Sequence, residues 1–449
     1  MLVRLSWPIV IAFSLQTSYN VIDVFWVAKL GSSELAAVSL AGTLFYIILA
    51  LGQVLGSGTV ALVSQSYGAG LFERANTVVR QALGLTLFIA ITVSVTGFMF
   101  ARHIIILLGG TGDVLVHGHS YLRIVFIGFS FQLLSFSINY AFRGTGDMKT
   151  PMQIMIIATA TNIILDPLLI LGIGFFPRLG VTGAALATVF AKGISFLYGF
   201  IILLRGKSGL RLSMKKPWHF NWTIIRTILR VGIPAGISYA LMFLSITAVF
   251  RTAASYGKYV LSALGIGQRV LQFAGLPVVG IGVATTTLVG QRLGARDVVT
   301  AKRISWISLS CAAIIMIAFS LLFYTQAPAI VQIFQPEQPV IDFGIQFLHI
   351  VSLYLIFVGT TVTITGIFRG AGDMLPPMFA GLIKLAVLIV MAPVLARTWG
   401  AGVRGIWWTM LCAYGVEALI MILWYHSGRW HKKGLELLDR IQVRSRPTQ

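Results

Sequence analysis

Apolar runs of about 18 residues or more recur from the N-terminus almost to the end, and they limit this chain more than any other feature. They lie at about 7–28, 40–63, 82–101, 121–141, 152–173 and 181–204 in the first half. In the second half they lie at about 231–250, 260–289, 304–325, 343–367, 378–395 and 406–426. Each is long enough to cross a hydrocarbon core of ~30 Å as a helix. Helices also satisfy their own backbone groups where no water is present. Only 10% of the 449 residues are charged, against about 25% in a soluble domain. The expected fold class is therefore all-α and polytopic, with about twelve transmembrane helices.

The formal net charge of +21 raises the question of nucleic acid, but the placement of the charges argues against it. They gather in alternate loops, above all in "RGKSGLRLSMKKPWHFNWTIIRTILR" and the tail "RWHKKGLELLDRIQVRSRP". The loop "TQAPAIVQIFQPEQPVIDF" has no Lys or Arg. This is the positive-inside pattern, and it places both termini and the central linker in the cytoplasm. Cys311 and Cys412 are isolated in apolar spans, so no disulfide framework is implied. The first span carries polar residues and no small-residue cleavage site, and it reads as a retained helix.

The chain also repeats itself. "FRGTGDMKTPM" starts at Phe142 and "FRGAGDMLPPM" at Phe368, an offset of 368 − 142 = 226. The same offset pairs "VSQSYGA" from Val63 with "VGQRLGA" from Val289, Pro8 with Pro234, and Asp166-Pro167 with Ala392-Pro393. Near the end of each half, "GVTGAALAT" from Gly180 answers "GVRGIWWTM" from Gly402, with the offset slipping to 222. Six spans per half give both halves the same orientation, as parallel repeats, an organisation common in transporters that rock around a shared cavity. The boundaries read as an N-terminal six-helix lobe over 1–204, a linker over 205–226, a C-terminal six-helix lobe over 227–430 and a basic tail over 431–449. In the FRGxGD segments the glycines permit tight turns, and Arg143 with Asp147, and Arg369 with Asp373, are suited to fixing those turns structurally. No strand precedes them and no GK[ST] follows, so they do not read as phosphate loops.

These residues resemble the multidrug and toxic compound extrusion (MATE) family of cation- or proton-coupled antiporters. The likeness runs over nearly the whole chain. It includes both FRGxGD segments, "VSQSYGAG", "VGQRLGAR", "GAALAT" and "YNVIDVFWVAKLGSSELAAVSLA" from Tyr19 to Ala41. It implies two six-helix bundles of the wider MOP superfamily and an export pathway between them. Tyr19 and Thr188 match family positions in a polar network, and Pro8 matches a position where the family bends its first helix.

Full acids at membrane depth are Asp23, Asp166 and Glu417. A carboxylate at a helix centre costs on the order of 2.5–3.5 kcal/mol to insert, so each needs a partner, water or a proton. Gln16, Asn20 and Asp23 stand at i, i+4 and i+7 on the first span, and Asn162 and Asp166 at i and i+4 on the fifth. If the two faces meet, burial and like charge disfavour two bare carboxylates, and one of them is expected to carry a proton or a monovalent cation. By the 226 offset, Asn20, Asp23, Asn162 and Asp166 fall on Ile246, Val249, Leu388 and Ala392. The polar cluster thus belongs to the first half alone, which resembles the DinF-like branch of the family. Pro8 and Pro167 lack a backbone N–H and interrupt their helices, as hinges would. Lys384 is expected to answer a missing cation site, to pair with Glu417 or simply to snorkel, and Lys192 either to snorkel or to serve function.

The function expected from these readings is secondary antiport. Small amphipathic or cationic drugs and toxic compounds leave in exchange for H⁺, or for Na⁺, with Asp23, Asp166 and Asn162 as the monovalent cation site and no other cofactor. The alternative is a flippase for a lipid-linked or anionic precursor. No Ser–His, HExxH or Walker arrangement points to an enzyme, and the histidines form no metal-ligand set. The expected setting is a bacterial inner or archaeal cell membrane, with a monomer in direct contact with lipid.

Overall fold

The computed structural model describes residues 1–174, 176–212, 220–334, 337–398 and 400–442. Among them there is no strand. The helices are α1 (Leu2–Ala28), α2 (Ser32–Gly68), α3 (Phe72–Leu107), α4 (Gly112–Thr145), α5 (Lys149–Leu171), α6 (Val181–Arg205) and α7 (Trp222–Ala254). They continue as α8 (Lys258–Gly294), α9 (Val298–Thr325), α10 (Ala327–Phe334), α11 (Gln338–Ala371), α12 (Leu375–Pro393), α13 (Gly402–His426) and α14 (Arg429–Gln442). Twelve of these, all but α10 and α14, are long and apolar enough to span a membrane. Each coincides with one of the twelve expected runs.

The helices form two compact units. In the first, α4 packs against α2, α3 and α6, and α5 packs against α6. In the second, α11 packs against α8, α9 and α13, and α12 against α13. Helices α4 and α11 are repeat partners and occupy the same place in their units, so the duplicated sequence produces duplicated packing. The second unit encloses a core of Phe347, Tyr354, Trp407 and Met410, with Phe347 set edge-on to Trp407 at 4.9 Å.

The unit boundaries differ from the expected ones. One unit is Pro8–Gly232, and the other joins Met1–Trp7 to Ile233–Gln449. The divisions fall at Pro8 and beside Pro234, not at a linker, because the described parts of 205–226 bind the first unit. Ser208 donates to Asp147 at 2.6 Å, the Arg211 amide to Asn76 at 2.8 Å, and the Asn221 amide to Gln81 at 3.1 Å. The opening turns of α7 then approach α2 at backbone distance. A Cβ on Gly232 would strike the Val54 carbonyl, and one on Gly58 the Ile228 carbonyl. The core of 205–226, residues 213–219, lies outside the described residues.

Both FRGxGD segments form the same turn. Gly146 and Gly372 end α4 and α11 with φ of 91° and 75°, a region glycine enters without penalty. The next amides, of Asp147 and Asp373, return to the Phe142 and Phe368 carbonyls at 3.1 and 2.9 Å, satisfying the open end of each helix. Asp147 then caps α5, accepting from the Lys149 and Thr150 amides at 3.1 and 3.0 Å and from the Thr150 hydroxyl at 2.7 Å. Asp373 instead pairs with Lys433 of α14, at 2.9 and 3.0 Å.

Two further expectations change. The segment expected as a basic tail is largely the helix α14, anchored by buried Trp430 stacked on Tyr425 at 5.7 Å and by an ion pair between Arg296 and Asp439. The loop between the ninth and tenth spans contains α10, whose Val331 is fully buried. Gln335 in that loop lies outside the described residues, as do residues 443–449 of the tail.

Candidate functional site

The polar residues of the first unit converge from four helices. Asn162 and Asp166 stand one turn apart on α5, fully buried, and the Asn162 amide donates to Asp166 Oδ1 at 2.8 Å. Thr159, three residues before Asn162, is 3% exposed and extends the stripe. Asp23 on α1 is near enough for its charge to act on Asp166. Tyr19, four residues before Asp23, is buried, and its hydroxyl donates to Thr188 of α6 at 3.2 Å. The Lys192 ammonium, one turn further along α6, lies 4.6 Å from the centre of the Tyr19 ring.

The hydrogen bonding of this cluster is incomplete, and most of what it lacks is donors. Asp23 Oδ1, Asp166 Oδ2, Asn162 Oδ1 and Thr159 Oγ1 are buried and have no hydrogen-bond partner among the described residues. Carboxylate and amide-carbonyl oxygens are acceptors. Leaving one buried without a donor costs about 1–3 kcal/mol. A proton or a bound cation would supply what the acceptor oxygens lack. Among the described residues no group of three or more His, Cys, Asp or Glu is placed to hold a metal ion.

Gln16 is half-buried, and Asn20 stands apart from this group. They bond each other at 3.3 Å, and Asn20 is exposed. One residue is 100° of helix, so a stripe that carries Tyr19 and Asp23 toward α5 and α6 carries Asn20 away. Pro8 and Pro167 lie inside α1 and α5. Each leaves one carbonyl of its helix without the usual donor. Arg143 and Asp147 belong to the turn before α5. Asp147 is 166 − 147 = 19 residues from Asp166, roughly 28 Å along a helix. In the second unit Arg369 and Asp373 lie at the equivalent turn, and Glu417 pairs with Lys384.

Tyr121 of α4 completes the first-unit cluster and was missed by sequence reasoning. It packs against the apolar cluster of Val27, Val38, Ile170, Val181 and Ala184, and Asp23, Tyr19 and Asp166 act on it electrostatically. The signal was present in the repeat. Tyr121 falls on Phe347 at the 226 offset, so the first half has a hydroxyl that the second lacks. His117 and His119 of "HGH" lie in the opening turns of α4, and His117 faces Glu34 at 3.8 Å beside a cavity of about 280 Å³ that Arg178 also lines.

Comparison with known proteins agrees with the duplicated plan. The family model described as MatE matches twice, over residues 8–168 and 234–394, which are again 226 apart. The chain is 29% identical over 435 residues to "Probable multidrug resistance protein YoeA" of Bacillus subtilis (strain 168), covering 96% of this chain and 94% of that one. Among solved structures it matches a MATE transporter in its bent conformation with a TM-score of 0.88 and 25% identity, over 98% of this chain and 96% of the other. A second match is the outward-facing conformation of a multidrug resistance MATE family transporter of the MOP superfamily. There the TM-score is 0.87 at 26% identity, and 96% of each chain is covered.

Proposed function

This chain belongs to the MatE family, and we propose that it exports small amphipathic or cationic compounds in exchange for H⁺ or Na⁺, coupled at the first-unit acids. As a member of a transporter family it is a multi-pass membrane protein and not an enzyme. The naming of the Bacillus subtilis relative as a probable multidrug resistance protein supports the substrate class. The coupling reading rests on one observation. Asp23, Asp166 and Asn162 present buried acceptor oxygens without donors, while the duplicated second unit has Val249, Ala392 and Leu388 at those positions.

In this reading Asp166 exchanges its bound proton or cation as the unit alternates between two states. The occupied form removes a charge that is expensive in an apolar interior and favours a closed unit. The empty form favours a hydrated one. Coupling requires only that affinity for the ion differ between the states, and substrate and ion then bias each other reciprocally. Asn162 orients Asp166, and Tyr19 ties α1 to α6 through Thr188, so that occupancy is felt on the helix carrying Pro8. Lys192 is an ammonium at membrane depth that forms no ion pair among the described residues, and this favours the alternative of an anionic or lipid-linked precursor as cargo.

Transport in proteoliposomes under separately imposed pH and Na⁺ gradients tests the proposal. The gradient that drives uphill efflux identifies the ion, and cationic and anionic cargoes distinguish the two readings. Asp23→Asn and Asp166→Asn are each expected to abolish gradient-driven efflux without loss of folding. Uphill export at the parental rate in both variants overturns the mechanism.

A further inference from the structure

The second unit treats its membrane-depth acid in the opposite way. Of the seven Asp and Glu residues in 233–449, only Glu417 lies more than two turns from either end of a spanning helix. Both of its carboxylate oxygens are taken by one group. Lys384 Nζ donates to Oε1 at 3.0 Å and to Oε2 at 2.9 Å, with the two side chains only 7% and 13% exposed. The same ammonium lies 4.9 Å from the centre of the Tyr414 ring, and that ring stacks on Tyr354 at 4.9 Å and 4°. Lys384 comes from α12, Glu417 and Tyr414 from α13, and Tyr354 from α11. These four are the titratable groups of the cluster.

Both charges belong to this half alone. Lys384 answers Ala158 at the 226 offset, and Glu417 answers Ser195 at 222. The first unit therefore has two acids each with a buried oxygen that lacks a donor, and the second has an acid whose oxygens share a donor attached to the chain. An ammonium is a compact single positive charge on a flexible stem. Held on the neighbouring helix, it competes with any dissolved ion at high effective concentration. A charge pair that satisfies both partners also removes the reason for either to take up an ion.

We infer that Lys384 is a tethered monovalent cation that permanently fills a site at Glu417, so the second unit takes no ion from solution. It follows, if the first-unit acids do couple transport, that the ion requirement is set by the first unit alone. Without the ammonium, Glu417 becomes a second site for a proton or for a monovalent cation.

The test is ion binding to purified protein, not transport, in an Asp23→Asn/Asp166→Asn background. It therefore holds whether or not the first unit couples. Three proteins are compared: the background itself, the background with Lys384→Gln, and the background with Lys384→Gln/Glu417→Gln. Retention of radiolabelled sodium at about pH 8 reads the cation, and potentiometric titration between about pH 6 and pH 9 reads the proton. The Lys384→Gln protein is expected to gain saturable binding, of one ion or the other, that both the background and the double glutamine variant lack. Equal binding by Lys384→Gln and the double variant in both arms overturns the inference, as does Glu417-dependent binding in the background. Should Lys384→Gln fail to fold, the neutral pair Lys384→Gln/Glu417→Gln in the otherwise native chain carries the test. It is expected to keep the parental ion requirement for efflux, and a changed requirement at equal expression overturns the inference.

Discussion

Asn162 and Asp166 form a unit that the second half replaces with Leu388 and Ala392, and this gives a prediction at the scale of single residues. Asn162→Leu removes the one donor that buried Asp166 has among the described residues and is expected to destabilise the protein by about 1–3 kcal/mol. Asn162→Leu/Asp166→Ala, which copies the second half, removes the demand along with the donor. It is expected to recover most of that loss, because replacing both partners with apolar groups is often neutral. Melting temperatures in detergent measure both effects, and a double variant no more stable than Asn162→Leu defeats the argument. Gradient-driven efflux is expected to be lost in both. The i, i+4 spacing made this pair legible in the sequence. Tyr121 was not legible by spacing, since it lies 166 − 121 = 45 residues upstream on another helix.

At the scale of elements, α1 and α14 show how a helix is held or released. Pro8 leaves the Arg4 carbonyl without its helical donor, and the division between the units falls at that residue. Pro8→Ala restores the bond and stiffens α1. Slower turnover with substrate binding kept is the expected result, read by comparing efflux rate with equilibrium binding. Helix α14 is held by Trp430, Lys433 and Asp439, and one of its residues titrates. Burial, then the charges of Lys302 and Lys432, hold His431 below the ordinary histidine value. A group depressed in the folded state contributes stability that is present above its unfolded value, about 6.5, and is lost as pH falls through the folded one. Docking of α14 is therefore expected to loosen below about pH 6. Hydrogen exchange over 429–442, corrected for intrinsic rate, checks this, and His431→Gln is expected to remove the pH dependence.

For the whole molecule, the charge pattern gives a prediction of orientation. Lys and Arg concentrate in 205–226 and beyond 428, and the segment between α9 and α11 has none, so by the positive-inside rule the former are expected to face the cytoplasm and the latter to face outward. A cysteine at exposed Gln338 is expected to react with an impermeant reagent added to intact cells, and one at Ser208 only after permeabilisation. The reverse pattern inverts the topology and, with it, the direction of transport proposed for this chain.

The sequence by itself determined the number of spans, the duplication and the asymmetry of the acids. All three are written in runs of apolar residues and in one constant offset, and none depends on which helix touches which. The tertiary structure decided what lies beyond a helix's own periodicity. It carried Asn20 away from the cluster while carrying Tyr19 into it, a matter of 100° of rotation that the sequence leaves open until α5 and α6 are in place. It closed Lys384 on Glu417 across two helices, where the sequence allowed that pair, a lysine answering a missing cation site, or snorkelling. It set the unit boundaries at Pro8 and Gly232, because 220–232 packs on α2 through Gly58 and Gly232, where no side chains keep the backbones apart. Contacts between residues distant in sequence are set by packing, and packing is a property of the folded chain.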